Sequence, residues 1–130
     1  MRWIVWLLAL SAIGCRGATR CGTCGMKVDT ASRWVAYVAI DTGEQVFDTP
    51  RCAMRGWRRS RGATAARFRE YYSQEMKPAD SLRFVEGSDV VGPMGPDAVP
   101  VATQYAARFA REHNGAPPKT LAEMIESEAP

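Results

Sequence analysis

Arg33-Trp34-Val35-Ala36-Tyr37-Val38-Ala39-Ile40-Asp41-Thr42-Gly43-Glu44-Gln45-Val46-Phe47-Asp48-Thr49-Pro50-Arg51-Cys52 is the stretch on which the fold turns. Aromatic and β-branched residues dominate it up to Ile40, Asp41-Thr42-Gly43 turns the chain, and 44–48 runs on as a second strand. The stretch predicts a β-hairpin. Thr49 can cap, and Pro50 can open, a helix that reaches about Ser60 and stops near Arg61-Gly62. Cys52 and Met54 then lie in its first turns.

Downstream, 65–72 is ambiguous in period, because Phe68, Tyr71 and Tyr72 serve a helix or a strand equally well. Ser81 to Glu86 alternates as a strand does, whereas Gly92-Pro93-Met94-Gly95-Pro96 reads as a loop too irregular for either element. Thr103 begins a helix with Tyr105, Ala106, Phe109 and Ala110 on one face, stopped by Asn114-Gly115. Pro117 and Pro118 argue against a regular central strand at that point, and 119–130 reads as a short, acidic, partly ordered helix. The order of elements places the chain in the α+β class.

With 130 residues there is room for one compact domain or two very small packed ones, which excludes a large multi-domain enzyme. A formal charge of +3 is too mild to imply nucleic acid, and no aromatic-basic interleaving supports such a partner. The first helix is nevertheless strongly basic through Arg51, Arg55, Arg58, Arg59 and Arg61. That face is either simply solvated or turned toward anionic lipid or an acidic partner.

Met1-Arg2 followed by the apolar run Trp3 to Ile13 has the form of an export signal and is too short to span a bilayer. It ends in Ala12-Ile13-Gly14-Cys15, which resembles a bacterial lipobox, with Ala12 standing where leucine is usual. On that reading 1–14 is cleaved and Cys15 is lipidated; the alternative is an ordinary signal peptide with Cys15 incidental. Residues 15–20 form a tether of about 20 Å even when fully extended at roughly 3.3–3.6 Å per residue. Whatever Cys21 and Cys24 do would take place near a membrane surface.

Lipidation of Cys15 leaves Cys21, Cys24 and Cys52, an odd number in a compartment that favours disulfides. A zinc ribbon would need an irregular set completed by His113, the only histidine. Cys21-Gly22-Thr23-Cys24-Gly25-Met26 lacks the upstream strand of a thioredoxin-like motif. Thiolates and a thioether in one glycine-rich loop select Cu(I) over harder ions. A Cys21–Cys24 disulfide with Met26 in the core is the competing reading. Met94 poses the same choice, since a methionine between two Gly-Pro pairs is either held for a purpose or plugs the core.

Several landmarks occur in order: the lipobox cysteine, Cys21-x-x-Cys24-Gly25-Met26, Asp41-Thr42-Gly43, Phe47-Asp48-x-Pro50-x-Cys52, Val85-x-Gly87-Ser88, Gly92-Pro93-Met94-Gly95 and Ala107-x-Phe109-Ala110-x-x-His113-x-Gly115. Together they resemble the NosL family, accessory lipoproteins of nitrous-oxide reductase. The resemblance implies a periplasmic, membrane-anchored copper chaperone that binds Cu(I) and is not an enzyme. It implies delivery of copper to a client such as nitrous-oxide reductase, together with a membrane ABC transporter of copper-centre assembly. It also implies two similar ββαβ subdomains, a topology shared with organomercurial lyase, spanning 21–116 and divided into about 21–75 and 76–116, with 117–130 as a tail. Carried onto this chain, the copper falls between Cys24, Met26 and Met94, with Cys21 and Cys52 as extra thiolates and His113 left open as a ligand.

Pro117-Pro118 departs from that pattern where the second subdomain would close with a strand. Two other functions compete with the copper reading. One is an enzyme, either a thiol-disulfide oxidoreductase or an organomercurial lyase-like activity needing an acid such as Asp48 or Asp89. The other is a structural envelope lipoprotein.

Overall fold

The computed structural model describes residues 17–128, so the expected signal peptide and the lipidated Cys15 lie outside the described residues. Strands β1 (Ala36–Ile40) and β2 (Gly43–Phe47) pair antiparallel from Ala36↔Phe47 to Ile40↔Gly43, leaving Asp41 and Thr42 as the loop. Thr49 caps α1 (Pro50–Arg59) by accepting from the Cys52 N–H at 3.2 Å, with Pro50 in the first turn. The ambiguous segment resolves as strand β3 (Ala65–Arg69), because Ala66 and Phe68 both face inward with period two. It pairs antiparallel with β1, and β4 (Met76–Pro78) adds the far edge, so the sheet runs β2-β1-β3-β4.

The second half repeats the connectivity. Strand β5 (Leu82–Val85), which follows a single 3-10 turn at Ala79–Ser81, pairs antiparallel with β8 (Val99–Ala102), and α2 (Thr103–Glu112) follows directly. The chain then returns to the free side of β5, where Phe84 and Lys119 form one antiparallel bridge. In each unit the first strand therefore lies in the middle, flanked by its hairpin partner and by the segment that returns after the helix. Pro117 and Pro118 explain why that return is so short. Ala116 N donates to Glu86 O and Lys119 N to Phe84 O, while the two prolines between them have no N–H to give. The fold is α+β, as the order of elements predicts, and pairing of the second sheet extends beyond residue 116.

Gly92 to Pro96 is more regular than its composition suggests. Strands β6 (Val91–Gly92) and β7 (Gly95–Pro96) make a miniature hairpin with Pro93 and Met94 at its tip. Pro93 holds the φ that the second position of a tight turn needs, and Gly95 takes a φ of 99° that a side chain would resist.

Phe47, Met54, Phe68, Leu82, Phe84 and Met124 share the larger core, and the Phe68 and Phe84 rings meet edge to face at 4.8 Å. That core is contributed by both halves. Val85, Val99 and Val101 form a second layer beneath Ala106, Phe109 and Ala110 of α2. The tail is held more firmly than its acidity suggests. Helix α3 (Leu121–Ser127) begins with a reciprocal Thr120–Glu123 capping box, and Met124 is fully buried. Its end also draws in the basic helix: the Glu128 carboxylate pairs with Arg51 at 3.6 Å and Arg55 at 3.2 Å, and Arg58 donates to its carbonyl. Arg59 and Arg61 remain exposed. No helix among the described residues is long and apolar enough to cross a membrane.

Helix α2 has no capping side chain of its own at Ala102. Glu70, 2% exposed, supplies the missing acceptor: one oxygen takes the Ala102 N–H at 3.1 Å, the other the Ser73 N–H at 2.6 Å. Burial works to raise this carboxyl, but the N–H groups of Ser73, Ala102 and Tyr72 outweigh it and hold the pKa below the ordinary glutamate value. Glu70→Ala is expected to cost roughly 1–3 kcal/mol, because it strands buried donors. With the folded pKa depressed, this contribution is complete above about pH 4.3 and is lost as pH falls through the folded value. Urea unfolding should show a gap between wild type and variant near pH 7 that narrows as the pH falls through the depressed folded pKa; an unchanged gap would contradict the assignment.

Candidate metal centre

The loop that carries Cys21, Cys24 and Met26 closes on itself. Cys21 N donates to Met26 O at 2.8 Å, Gly25 N donates to Cys21 O at 3.0 Å, and Arg20 and Lys27 bridge at its base. Gly25 sits at a φ of 73°, the left-handed region where a side chain is strained. Two hydrogen bonds stitch the loop to the hairpin and helix: Gly22 N to Val46 O at 3.0 Å and Thr23 Oγ1 to Cys52 O at 2.6 Å.

The Phe47 ring lies beneath this loop, fully buried. A Cβ on Gly22 would stand 3.0 Å from the ring, and one on Gly56 of α1 would stand 2.3 Å from it. Both glycines are therefore what lets the loop and the helix close over the ring. Phe47 then delivers Asp48 and Thr49 to the site, and the Thr49 cap sets Cys52 in the first turn of α1.

Cys21, Cys24, Cys52 and Asp48 converge, with one donor atom from each lying within 4.8 Å of the others. All of these cysteines are free thiols, so the disulfide reading does not describe this structure. Cys21 and Cys52 are buried and Cys24 is exposed, which makes Cys24 the solvent-facing member. Its Sγ donates to both Asp48 oxygens at 3.5 Å. Burial pushes the Cys24 thiol above its ordinary pKa, against a lowering hydrogen bond from the Met26 backbone. Burial pushes Cys52 up much further, and the Thr49 hydroxyl only partly offsets it.

Met26 and Met94 lie together elsewhere on the same surface. They line one open cleft of about 160 Å³ with Lys27, Asp29, Ser32, Asp48 and Pro93. At 52% and 56% exposed, neither is a core residue or a plug over the core. Asp48 belongs to both groups, so the thiols and the thioethers sit side by side.

Asp97 places Met94 there. This residue is buried directly behind the miniature hairpin, and its carboxylate accepts from Arg51 N at 3.0 Å and Ala98 N at 2.7 Å. It ties the Met94 hairpin to the first turn of the helix that carries Cys52. Burial raises the Asp97 carboxyl, and those N–H groups pull against it.

His113 is not part of this arrangement. It ends α2, with Nδ1 2.8 Å from Asp89 Oδ1 and its ring 4.3 Å from that of Phe109. Asp89, one of the candidate acids, is thereby engaged away from the cysteines. Asp48, the other, stands among them. Nothing in the sequence marks Asp97 or sets an acid among the metal ligands; the adjacency Phe47-Asp48-x-Pro50-x-Cys52 is the available signal for Asp48.

Comparison with known proteins bears on this arrangement directly. The NosL family model matches residues 13–128. The chain belongs to the NosL family. Among solved structures, this NosL protein is similar to the crystal structure of the copper chaperone NosL from Shewanella denitrificans. The TM-score is 0.63 at 18% sequence identity, covering 75% of this chain and 83% of that one. At that identity the likeness speaks to the fold, an α+β architecture of strands and helices. A search of curated proteins gave no match.

Proposed function

We propose that this NosL protein is a copper chaperone of the bacterial envelope, carrying Cu(I) as cargo on Cys24, Met26 and Met94, with Cys21 and Cys52 as thiolates behind them. The observation that carries the reading is the pair of exposed methionines lining one cleft beside a solvent-facing cysteine. Thioethers bind Cu(I) without strongly stabilising Cu(II), and Cu(I) accepts few, soft ligands. An exposed mixed site therefore suits an ion that must be passed on. The family and the copper chaperone of similar fold support the same role.

Lipidation at Cys15 would hold the protein on the periplasmic side of a membrane, with Cys21 within about 20 Å of the anchor. A copper-receiving client such as nitrous-oxide reductase, and the membrane ABC transporter of its copper-centre assembly, are the partners this role implies. Binding and release require no catalysed reaction, so the proposal is a carrier and not an enzyme. The CxxC lies in a loop, with no helix N-terminus at Cys21 to activate a thiol oxidoreductase. Asp48 beside Cys24 is the one feature an organomercurial lyase-like activity would use. Absence of turnover on an organomercurial with excess thiol would dispose of that second reading.

Competition with a Cu(I) chelator tests the first. Met94→Ala should weaken Cu(I) binding by at least about tenfold, a change on the scale seen when a metal site loses a supporting group. Because Met94 is exposed, its thermal unfolding should stay within a few degrees of wild type. An unchanged affinity would remove Met94 from the site.

A further inference from the structure

We propose that Tyr72, Tyr105, Arg33 and Arg108 form a docking face for another protein, one that presents carboxylates around an apolar centre. Among the described residues, the exposed large apolar side chains are Met26, Val91, Met94, Tyr72 and Tyr105. Val91 and the two methionines belong to the metal cleft and its hairpin, but the tyrosines do not. At 40% and 39% exposed, Tyr72 and Tyr105 stand edge to face with ring centres 5.8 Å apart. Tyr71 meets Tyr72 at 5.0 Å and shares a small crevice with Trp34, which lies against Gly92 of the Met94 hairpin. The aromatic face is thus continuous with the edge of the cleft.

Glu70 fixes the two tyrosines in advance. Its buried carboxylate takes the Ser73 N–H, one residue after Tyr72, and the Ala102 N–H, just before the helix that carries Tyr105. Rigid rings held ready lose little freedom on contact, which is what makes tyrosine an effective anchor at protein interfaces. Nothing in the fold needs these rings in solvent, since Phe109 already fills the core beneath α2.

Charge decides the partner. The Arg33 guanidinium lies 5.0 Å over the Tyr71 ring, and that of Arg108 lies 5.5 Å over Tyr72 and 5.3 Å over Tyr105. Among the described residues no carboxylate pairs with Arg33, and Arg108 has only Glu112 at 3.7 Å. Two cations against one acid leave the face basic, so carboxylates complement it. Tyrosine and arginine together are the composition of a protein contact. A lipid surface is met instead by projecting charge and by apolar chains that insert. That the partner exchanges copper with the adjoining cleft rests on the carrier reading, whereas the face itself does not.

The test places the photo-cross-linker p-benzoylphenylalanine at exposed Gln104, one turn before Arg108, in the full chain within its native cells, with the same group at exposed Ala122 of α3 as reference. Irradiation should give one dominant adduct from position 104, absent from 122, with a protein whose linked peptide, read by mass spectrometry, carries Asp or Glu. Arg33→Glu with Arg108→Glu should cut its yield at least about tenfold, and lysine in place of the linked carboxylates should restore it. Cu(I) affinity of the charge-reversed chain should stay at the wild-type level. No adduct, adducts with lipid or with a second copy of this chain, or a yield indifferent to charge reversal would overturn the proposal. A captured protein that docks by these charges but neither takes Cu(I) from the loaded chain nor supplies it would count against the carrier reading and leave the docking face standing.

Discussion

Cys24→Ser is expected to lower the Cu(I) affinity of the reduced protein by more than about a hundredfold, the upper end of what loss of a supporting group behind a metal ligand costs. Cys24 is the one thiol of the cluster that faces solvent, and its loop neighbour Met26 lies on the methionine cleft. Serine offers a hard oxygen in place of a soft sulfur, a poor exchange for Cu(I). Folding should be spared, because an exposed Sγ contributes little packing. Circular dichroism and thermal unfolding should match wild type while chelator competition shows the loss. Retained affinity in a folded Cys24→Ser would move the copper away from this loop altogether.

Phe47→Ala is expected to cost about 3–5 kcal/mol, the range for removing a buried aromatic ring. The argument goes beyond ring size. Gly22 and Gly56 are shaped around this ring, so the site above it cannot collapse onto the space without moving the Cys21 loop or α1. Cavities that cannot collapse are the costly ones. Asp48 and Thr49 follow directly in the chain, so the variant should also loosen the Thr49 cap on Cys52 and spread the thiols. Urea unfolding reads the first effect and Cu(I) affinity the second. A variant that loses stability yet keeps full affinity would show that the loop holds its geometry without the ring.

Local chemistry explains what could be read in advance. Asp41-Thr42 closes a hairpin between strongly β-forming runs, and Thr49-Pro50 is both cap and opening of α1, so neither element depends on distant residues. The CxxCGM loop and Met94 were legible as candidates because sulfur in glycine-rich or proline-rich loops is unusual. Their proximity was not, since it requires Asp97 to reach 46 residues back to the Arg51 N–H. Asp48 is readable from sequence as a candidate acid, but its place against Cys24 is set by the fold.

Short strands escaped for a similar reason. β8 contains Pro100, which argues against a strand until the strand is seen to pair only with β5, leaving the proline on an edge. The acidic composition of the last helix suggests only partial order. Met124 and Glu128, buried against the core and the arginines of α1, are what hold it.

X-ray absorption on the reduced protein loaded with one equivalent of Cu(I) tests the central claim most directly, because it reads the atoms around the metal. The account predicts a first shell of sulfur alone, reduced in amplitude in Met94→Ala and lost in Cys24→Ser. A shell dominated by nitrogen or oxygen, or one unchanged in both variants, would contradict it.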